Sequence, residues 1–189
     1  HEQAKGRANF YLQESEAGFS APGHQTDTDQ TLVGGRYNTA LNEQWDLDVK
    51  LDTRERDQGL KTEKLDVSSG YQHDQNWRYS GGIRIGQRED NSPVVADTQQ
   101  QGDRIDLAAE ARYDSRTNWT AYGFAQVTAK KDGNREDNNR IGGGGSYRYS
   151  DRLNLNGELS VGDLGTGISA GTEYLMSDNT NVYSAYTLE

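Results

Sequence analysis

The sequence predicts an all-β protein built as an antiparallel up-and-down meander of about 11–12 strands. Three observations support this fold class. Apolar and charged residues alternate with a period of two, polar turn residues recur between the alternating segments, and apolar residues at helical spacing are absent. Successive side chains on a strand point to opposite faces, so the alternation predicts a sheet with one apolar and one ionic face. The whole chain, 1–189, is predicted to be a single domain with no second domain.

The apolar face is predicted at odd-numbered positions from residue 33 to residue 161, for example Val49 and Leu107. After the glycine-rich stretch 162–167 the pattern shifts to even positions, beginning at Ile168. Two places fit less well. Around Phe10 the apolar residues are consecutive, and residues 122 and 124 put aromatic rings on the otherwise polar face, where we interpret them as facing a barrel interior.

The opposite face is densely ionic, and in a barrel it would line the lumen. Its predicted charged residues are Asp46, Asp48, Lys50, Asp52, Arg78, Arg84, Asp106, Glu110, Arg112, Arg140, Arg148 and Glu158. Two interpretations are open: the charges set the selectivity of a pore, or they form ion pairs between neighbouring strands and fill the interior.

The predicted connections alternate between two kinds. The short set is 42–44, 74–76, 115–118, 150–152 and 177–180, rich in Asn, Asp and Ser, which bond their own backbone in tight turns. The long set is 18–29, 57–62, 89–102, 131–138 and 162–167. This alternation predicts a meander with short turns at one end and longer loops at the other.

Aromatic residues cluster beside the short turns. They are Tyr37, Trp45, Tyr71, Trp77, Tyr113, Trp119, Tyr147, Tyr149 and Tyr174, with Tyr183 beside the last turn. Amphipathic rings favour the headgroup level of a bilayer, and membrane-spanning barrels carry aromatic girdles there. Packing across strands, as in soluble sheets, is the alternative.

Composition excludes several classes of function. With no cysteine and three histidines, the chain has no disulfide scaffold, thiol nucleophile or cysteine-based zinc site. A formal net charge of −10 argues against nucleic-acid binding, which needs clustered cations. No cofactor is expected. Together, the alternation, the two kinds of connection and the aromatic residues indicate a meander that forms part or all of a transmembrane β-barrel.

The turn segments 173–183, 147–154 and 113–119 share a loose Tyr-x-x-Ser-Asp-x-x-Asn spacing. This pattern resembles the hairpins of Gram-negative outer-membrane β-barrel proteins, either porin-like or of the large uncharacterised barrel families. The resemblance implies an outer-membrane location, with long loops extracellular and short turns periplasmic. It also implies contact with outer-membrane lipid or lipopolysaccharide.

The chain departs from this pattern in two respects. It ends Tyr186-Thr187-Leu188-Glu189 without a terminal Phe or Trp, and the predicted strand number is odd, whereas single-chain bacterial barrels have even numbers. We therefore expect a fragment that pairs with further strands of the same protein or with other subunits. A strand miscounted before Phe10 is the alternative.

Candidate catalytic and metal sites are weak. His24 lies near Ser20 and Asp27, and His73 adjoins Asp74, but their spacing does not impose triad geometry. The segment 132–138 interleaves oxygen ligands with glycine yet lacks the spacing of an EF-hand. The run 142–145 lacks the Lys-Ser/Thr of a phosphate loop and favours strand curvature or a close approach of another chain. We expect no enzymatic activity.

The sequence favours an outer-membrane barrel with a polar, mixed-charge lumen, which acts in passive transport or as a structural surface barrel. The alternative is a soluble, secreted all-β surface or adhesin module, suggested by the mean hydropathy of −1.04. Arginine at Val49, Leu107 or Leu155 is expected to be severe in a bilayer. Alanine at Lys50 or Asp106 is expected to be mild.

Overall fold

Eleven strands form one antiparallel sheet in the order β1-β4-β5-β6-β7-β8-β9-β10-β11-β12-β13, and two short strands, β2 and β3, pair separately. The strands are β1 Arg7–Ser15, β2 Ser20–Ala21, β3 His24–Gln25, β4 Gln30–Ala40, β5 Trp45–Arg56, β6 Leu60–Gln72, β7 Trp77–Asp90, β8 Gly102–Asp114, β9 Trp119–Lys131, β10 Arg140–Ser150, β11 Leu153–Gly162, β12 Gly165–Ser177 and β13 Thr180–Leu188. This computed structural model describes residues 6–18, 20–21, 24–25, 29–57, 59–91, 101–177 and 180–188. The predicted all-β antiparallel meander is confirmed.

Consecutive strands of the sheet are neighbours, and β1 and β13 are its two edge strands. None of the described segments forms a helix long and apolar enough to cross a membrane.

Two of the five connections predicted to be long are short. The connection after β5 occupies only residues 57–59, and the one after β11 only residues 163–164. The strands extend past the apolar stretch: Lys61 and Glu63 belong to β6 and form an ion pair at 2.8 Å. Charged side chains there do not interrupt the strand, because backbone pairing can continue whether the side chains face lipid or water.

The chain divides into two compact units. The first contains His1–Ser69, Gly82–Leu107 and Thr128–Glu136, and the second contains Gly70–Gly81, Ala108–Val127 and Asp137–Glu189. Four of the five boundaries fall within β6, β7, β8 and β9, and the fifth falls between β9 and β10.

In the first unit, the register of β1, β4 and β5 explains the irregular pattern around Phe10. Phe10 lies opposite Gly35, and Leu12 lies opposite Val33, so the even positions of β1 share a face with the odd positions of β4. Tyr11 consequently belongs to the ionic face, opposite Gly34. The change of parity takes place between β1 and β4.

In the second unit, β9 to β13 keep the two faces separate. Gly143 lies opposite Leu159, and Leu159 lies opposite Ile168, so the apolar face passes from odd positions to even ones between β11 and β12. The turn at 163–164 causes this shift. Tyr183 lies opposite Glu173 and therefore belongs to the polar face, which corrects its predicted place among the interfacial aromatic residues.

The distribution of buried residues is inverted relative to a soluble domain. No apolar side chain of the described residues is buried, whereas Ser15, Asp90, Asp106 and Ser160 are. Large apolar side chains along the whole sheet are exposed, with Phe10 reaching 85%. A water-soluble domain would bury this surface against a second layer.

Candidate functional site: the polar face of the sheet

Most predicted charged residues of the polar face of the first unit have an oppositely charged neighbour. Asp48 accepts from Arg36 at 2.7 Å, Lys50 lies 2.6 Å from Asp52, and Arg84 holds Asp66 through Nε at 2.6 Å. The partners lie two residues apart on one strand or on adjacent strands. Asp46 accepts a hydrogen bond at its backbone oxygen from Ser69 at 2.8 Å. This part of the polar face is therefore a network of local ion pairs.

Among the charged residues that the structure describes, Asp106 is the most buried. Its side chain is 4% exposed, and it receives Arg104 Nε at 2.9 Å and Thr128 Oγ1 at 2.8 Å. Arg104, itself 12% exposed, also donates to the backbone oxygen of Glu136 at 3.1 Å. The guanidinium thus joins β8 to the β9–β10 connection. Arg104 was not among the predicted site residues.

Two tyrosines bridge three strands by reaching across a glycine. Tyr11 donates to Asp52 across Gly34, and Tyr122 donates to Glu158 at 2.5 Å across Gly144. In each case the tyrosine, the glycine and the carboxylate occupy one row of residues across neighbouring strands. The missing glycine side chain leaves room for the ring, as when aromatic residues cover glycines in designed sheets.

The second bridge belongs to a longer chain of contacts. Glu110 accepts from Arg112 at 3.0 Å, and the Arg112 guanidinium lies 4.9 Å from the Tyr122 ring centre. Phe124 stacks beside Tyr122 with ring centres 6.3 Å apart, above Gly142. The glycine run 142–145 therefore accommodates aromatic rings on the polar face, where Tyr122 and Phe124 were expected.

Gly144→Ala is expected to destabilise the folded protein by about 1–3 kcal/mol through overpacking. An added Cβ would lie 2.5 Å from the backbone oxygen of Gly157, 2.7 Å from Tyr122 Oη and 2.8 Å from Tyr122 Cζ. It therefore collides with the neighbouring strand and also displaces the bridge to Glu158. Gly157→Ala is the matched control, because its Cβ would meet its nearest atom, Ser169 O, at an ordinary 3.5 Å. Urea titrations of both variants give the comparison; equal losses would contradict this account.

The remaining predicted charged residues differ in their surroundings. Arg140 donates to Ser160 Oγ at 2.8 Å. Arg148 lines a cavity in the second unit together with Asn154 and Glu173. Arg78, on β7, belongs to the second unit.

Aromatic rings of the second unit form a continuous stripe near the short turns. Trp77 stacks on Tyr79 at 6.0 Å and meets Tyr113 edge-on at 5.1 Å, and Tyr113 lies 5.2 Å from Trp119. His73 lies between Tyr71 and Tyr79, with ring centres 6.0 and 6.2 Å away. Tyr37, Trp45, Tyr147, Tyr149 and Tyr174 are exposed.

Three short turns share one hydrogen-bonding device. A side-chain oxygen at the start of the turn accepts the backbone N–H of the tryptophan that begins the next strand. Asn42 accepts from Trp45 at 2.8 Å, Asp74 from Trp77 at 2.7 Å, and Ser115 from Trp119 at 3.1 Å. Each turn therefore fixes an aromatic ring at the start of a strand.

The Trp77 and Asn76 amides that donate to Asp74 hold the pKa of its carboxyl below its usual range. A depressed folded-state pKa gives stability that is present above the unfolded pKa and lost as the pH falls through the folded one. We therefore expect the Asn76 and Trp77 amide resonances to shift on acidification, with a midpoint below the ordinary aspartate value. Asp74→Asn, which reproduces the acceptor found at Asn42, should abolish that shift; its persistence would assign the titration to another group.

The other candidate sites have ordinary structural contacts or lie outside the described residues. His73 and Asp74 contact aromatic rings and backbone amides, respectively. Asp27 lies outside the described residues, as do the side chains of Ser20 and His24. In the described part of the chain, no group of three or more His, Asp or Glu side chains is placed to hold a metal ion. In the segment 132–138, Asp132 accepts the N–H of Gly133 at 2.8 Å.

Comparisons with protein-family models and with curated protein sequences find no match. Among solved structures, the chain resembles the toluene transporter TodX of Pseudomonas putida, with a TM-score of 0.53 and 11% sequence identity. The similarity covers 95% of this chain and 72% of the transporter. At this identity the resemblance establishes a shared fold and nothing further.

Proposed function

We propose that this protein is an outer-membrane β-barrel whose polar face lines a path for the passive transport of small polar solutes. The observation that carries the proposal is the inverted burial. Exposed apolar side chains occupy one face of every long strand, while the only buried side chains of the described residues are polar. Hydrocarbon is the solvent that such a surface requires, and a transmembrane barrel presents it in this alternating form.

Backbone pairing supports the same conclusion. Strands that span a bilayer must satisfy their N–H and C=O groups within the sheet. Nine of the strands have neighbours on both sides. The aromatic stripe beside the short turns matches an interfacial girdle, so we assign the short turns to the periplasmic side and the longer loops to the extracellular side. The apolar face of the sheet would then contact outer-membrane lipid and lipopolysaccharide.

The solute class follows from the polar face. An apolar solute would displace water from the ion pairs and hydroxyl groups without replacing their hydrogen bonds. We infer a narrow path, part of whose cross-section is filled by paired side chains such as Arg104 and Asp106.

Reconstitution of the full chain tests the proposal. In planar bilayers we expect discrete conductance steps, and in liposomes we expect release of small sugars but retention of large dextrans. Protein that stays folded and monomeric in buffer without detergent or lipid would contradict the membrane assignment. That result would instead support a soluble surface or adhesin module. A folded, membrane-inserted protein that conducts nothing would favour a structural surface barrel.

A further inference from the structure

A cavity of about 850 Å³ opens on the polar face of the second unit, beside the turns at 115–118 and 151–152. Polar side chains of β10 to β13 line one part of it, namely Ser146, Arg148, Asn154, Asn156, Glu173 and Tyr183. Asp114 and Arg116, beside the turn at 115–118, also line it. Of these, only Arg148 belongs to the charged residues that the alternation predicted for this face.

The strand register places the groups of β10 to β13 in two adjacent rows. One row runs from Arg148 through Asn154 and Glu173 to Tyr183. The other contains Ser146 and Asn156, whose amide lies over Gly171, where a side chain would collide with it. Neighbouring strands are about 4.8 Å apart and successive residues on one face about 7 Å apart. The rows thus form a grid of hydrogen-bonding groups at the scale of a sugar ring and its substituents.

Several of these groups are available to a ligand. Among the described residues, the side chains of Arg148, Asn154 and Asn156 make no hydrogen bond or ion pair with the protein. The cations Arg36, Arg84, Arg104 and Arg112 of the same face are each already paired. An asparagine amide both donates and accepts, as a hydroxyl-rich ligand requires.

We propose that this cavity binds a neutral, hydroxyl-rich solute of the carbohydrate class. The inference rests on the proposed transport function and names the solute. The lining cations Arg116 and Arg148 are balanced by the carboxylates Asp114 and Glu173, so the cavity offers no net charge to attract an ion. An apolar ligand would desolvate the amides and hydroxyls without compensation. Tyr183, which is 82% exposed, adds an amphipathic ring at the edge of the site.

Maltotriose is a suitable probe, titrated calorimetrically into the full chain folded in detergent micelles. Asn154→Ala/Asn156→Ala should weaken binding about tenfold, since two hydrogen bonds contribute roughly 1–3 kcal/mol. Asn38→Ala is the matched control, because Asn38 lies on the polar face of β4, outside the cavity, and should leave binding unchanged. Circular dichroism verifies that each variant is folded.

The proposal is overturned if folded wild-type protein does not bind maltotriose, or if the double variant binds it as tightly as the wild type. Tighter binding of triglycine or toluene than of maltotriose would also overturn it. Failure of this binding proposal can be distinguished from failure of the transport proposal. Conductance without maltotriose binding removes only this site, whereas binding without conductance removes transport and leaves the site.

Discussion

Leu107→Arg is expected to destabilise the folded protein in a bilayer by about 2–4 kcal/mol. Leu107 lies on β8 and is 40% exposed, on the face that we assign to lipid. A guanidinium there must enter hydrocarbon or distort the bilayer to reach water. Val49→Arg and Leu155→Arg should behave alike, because both residues lie on the same apolar face of their strands.

Ala108→Arg is the matched control for this prediction. Ala108 follows Leu107 on the same strand, so its side chain points to the polar face, and it is also exposed. The same charge added there should cost little. Urea-dependent folding into phospholipid vesicles, followed by tryptophan fluorescence, measures both variants. Losses of less than about 0.5 kcal/mol for Leu107→Arg would be typical of a water-exposed position and would contradict the assignment to lipid.

The alternation predicts the faces well because antiparallel pairing puts residues directly opposite each other on the same side of the sheet. Val33, Leu51 and Leu159 therefore lie where their parity indicates. The prediction of which face a residue lies on fails where a connection of unknown length separates two strands. The parity of Phe10 and Leu12 depends on the connection 16–29, which no local pattern determines.

Strand ends are predicted less well than strand interiors. At Lys61 and Glu63 the apolar pattern stops, although the strand continues. The alternation of side chains depends on whether they face lipid or water, whereas the length of a strand depends on backbone pairing. The apolar pattern and the strand therefore need not end at the same residue.

The contacts of the polar face were only partly predictable. Opposite charges spaced two residues apart lie side by side on a strand, and the pairs Lys50–Asp52 and Arg104–Asp106 follow that spacing. That signal could have identified Arg104. The bridge from Tyr122 to Glu158 depends on the register of three strands, which fixes Gly144 between them. The uncharged cavity residues Asn154 and Asn156 were missed because the prediction considered only charges on that face.

Asp106→Ala is expected to destabilise the protein by about 3 kcal/mol, which revises the mild effect expected from the sequence alone. The carboxylate is nearly inaccessible, and its removal leaves the mostly buried Arg104 guanidinium without a counter-charge. The hydrogen bond that Thr128 Oγ1 donates to Asp106 is lost as well. The cost comes mainly from the uncompensated charge, because burying a guanidinium without a partner forfeits its hydration.

Asp66→Ala is the control that isolates burial. The Arg84–Asp66 pair is shorter, at 2.6 Å against 2.9 Å for Arg104–Asp106, but its side chains are 51% and 29% exposed. Water replaces the lost partner there, so the loss should be no more than about 1 kcal/mol. Arg104→Met/Asp106→Leu should recover most of the stability lost in Asp106→Ala, since it removes both charges together. If Asp106→Ala costs no more than Asp66→Ala in the same urea titration, water reaches Arg104 in the folded protein. The interior around β8 would then be an open aqueous path and not a filled one.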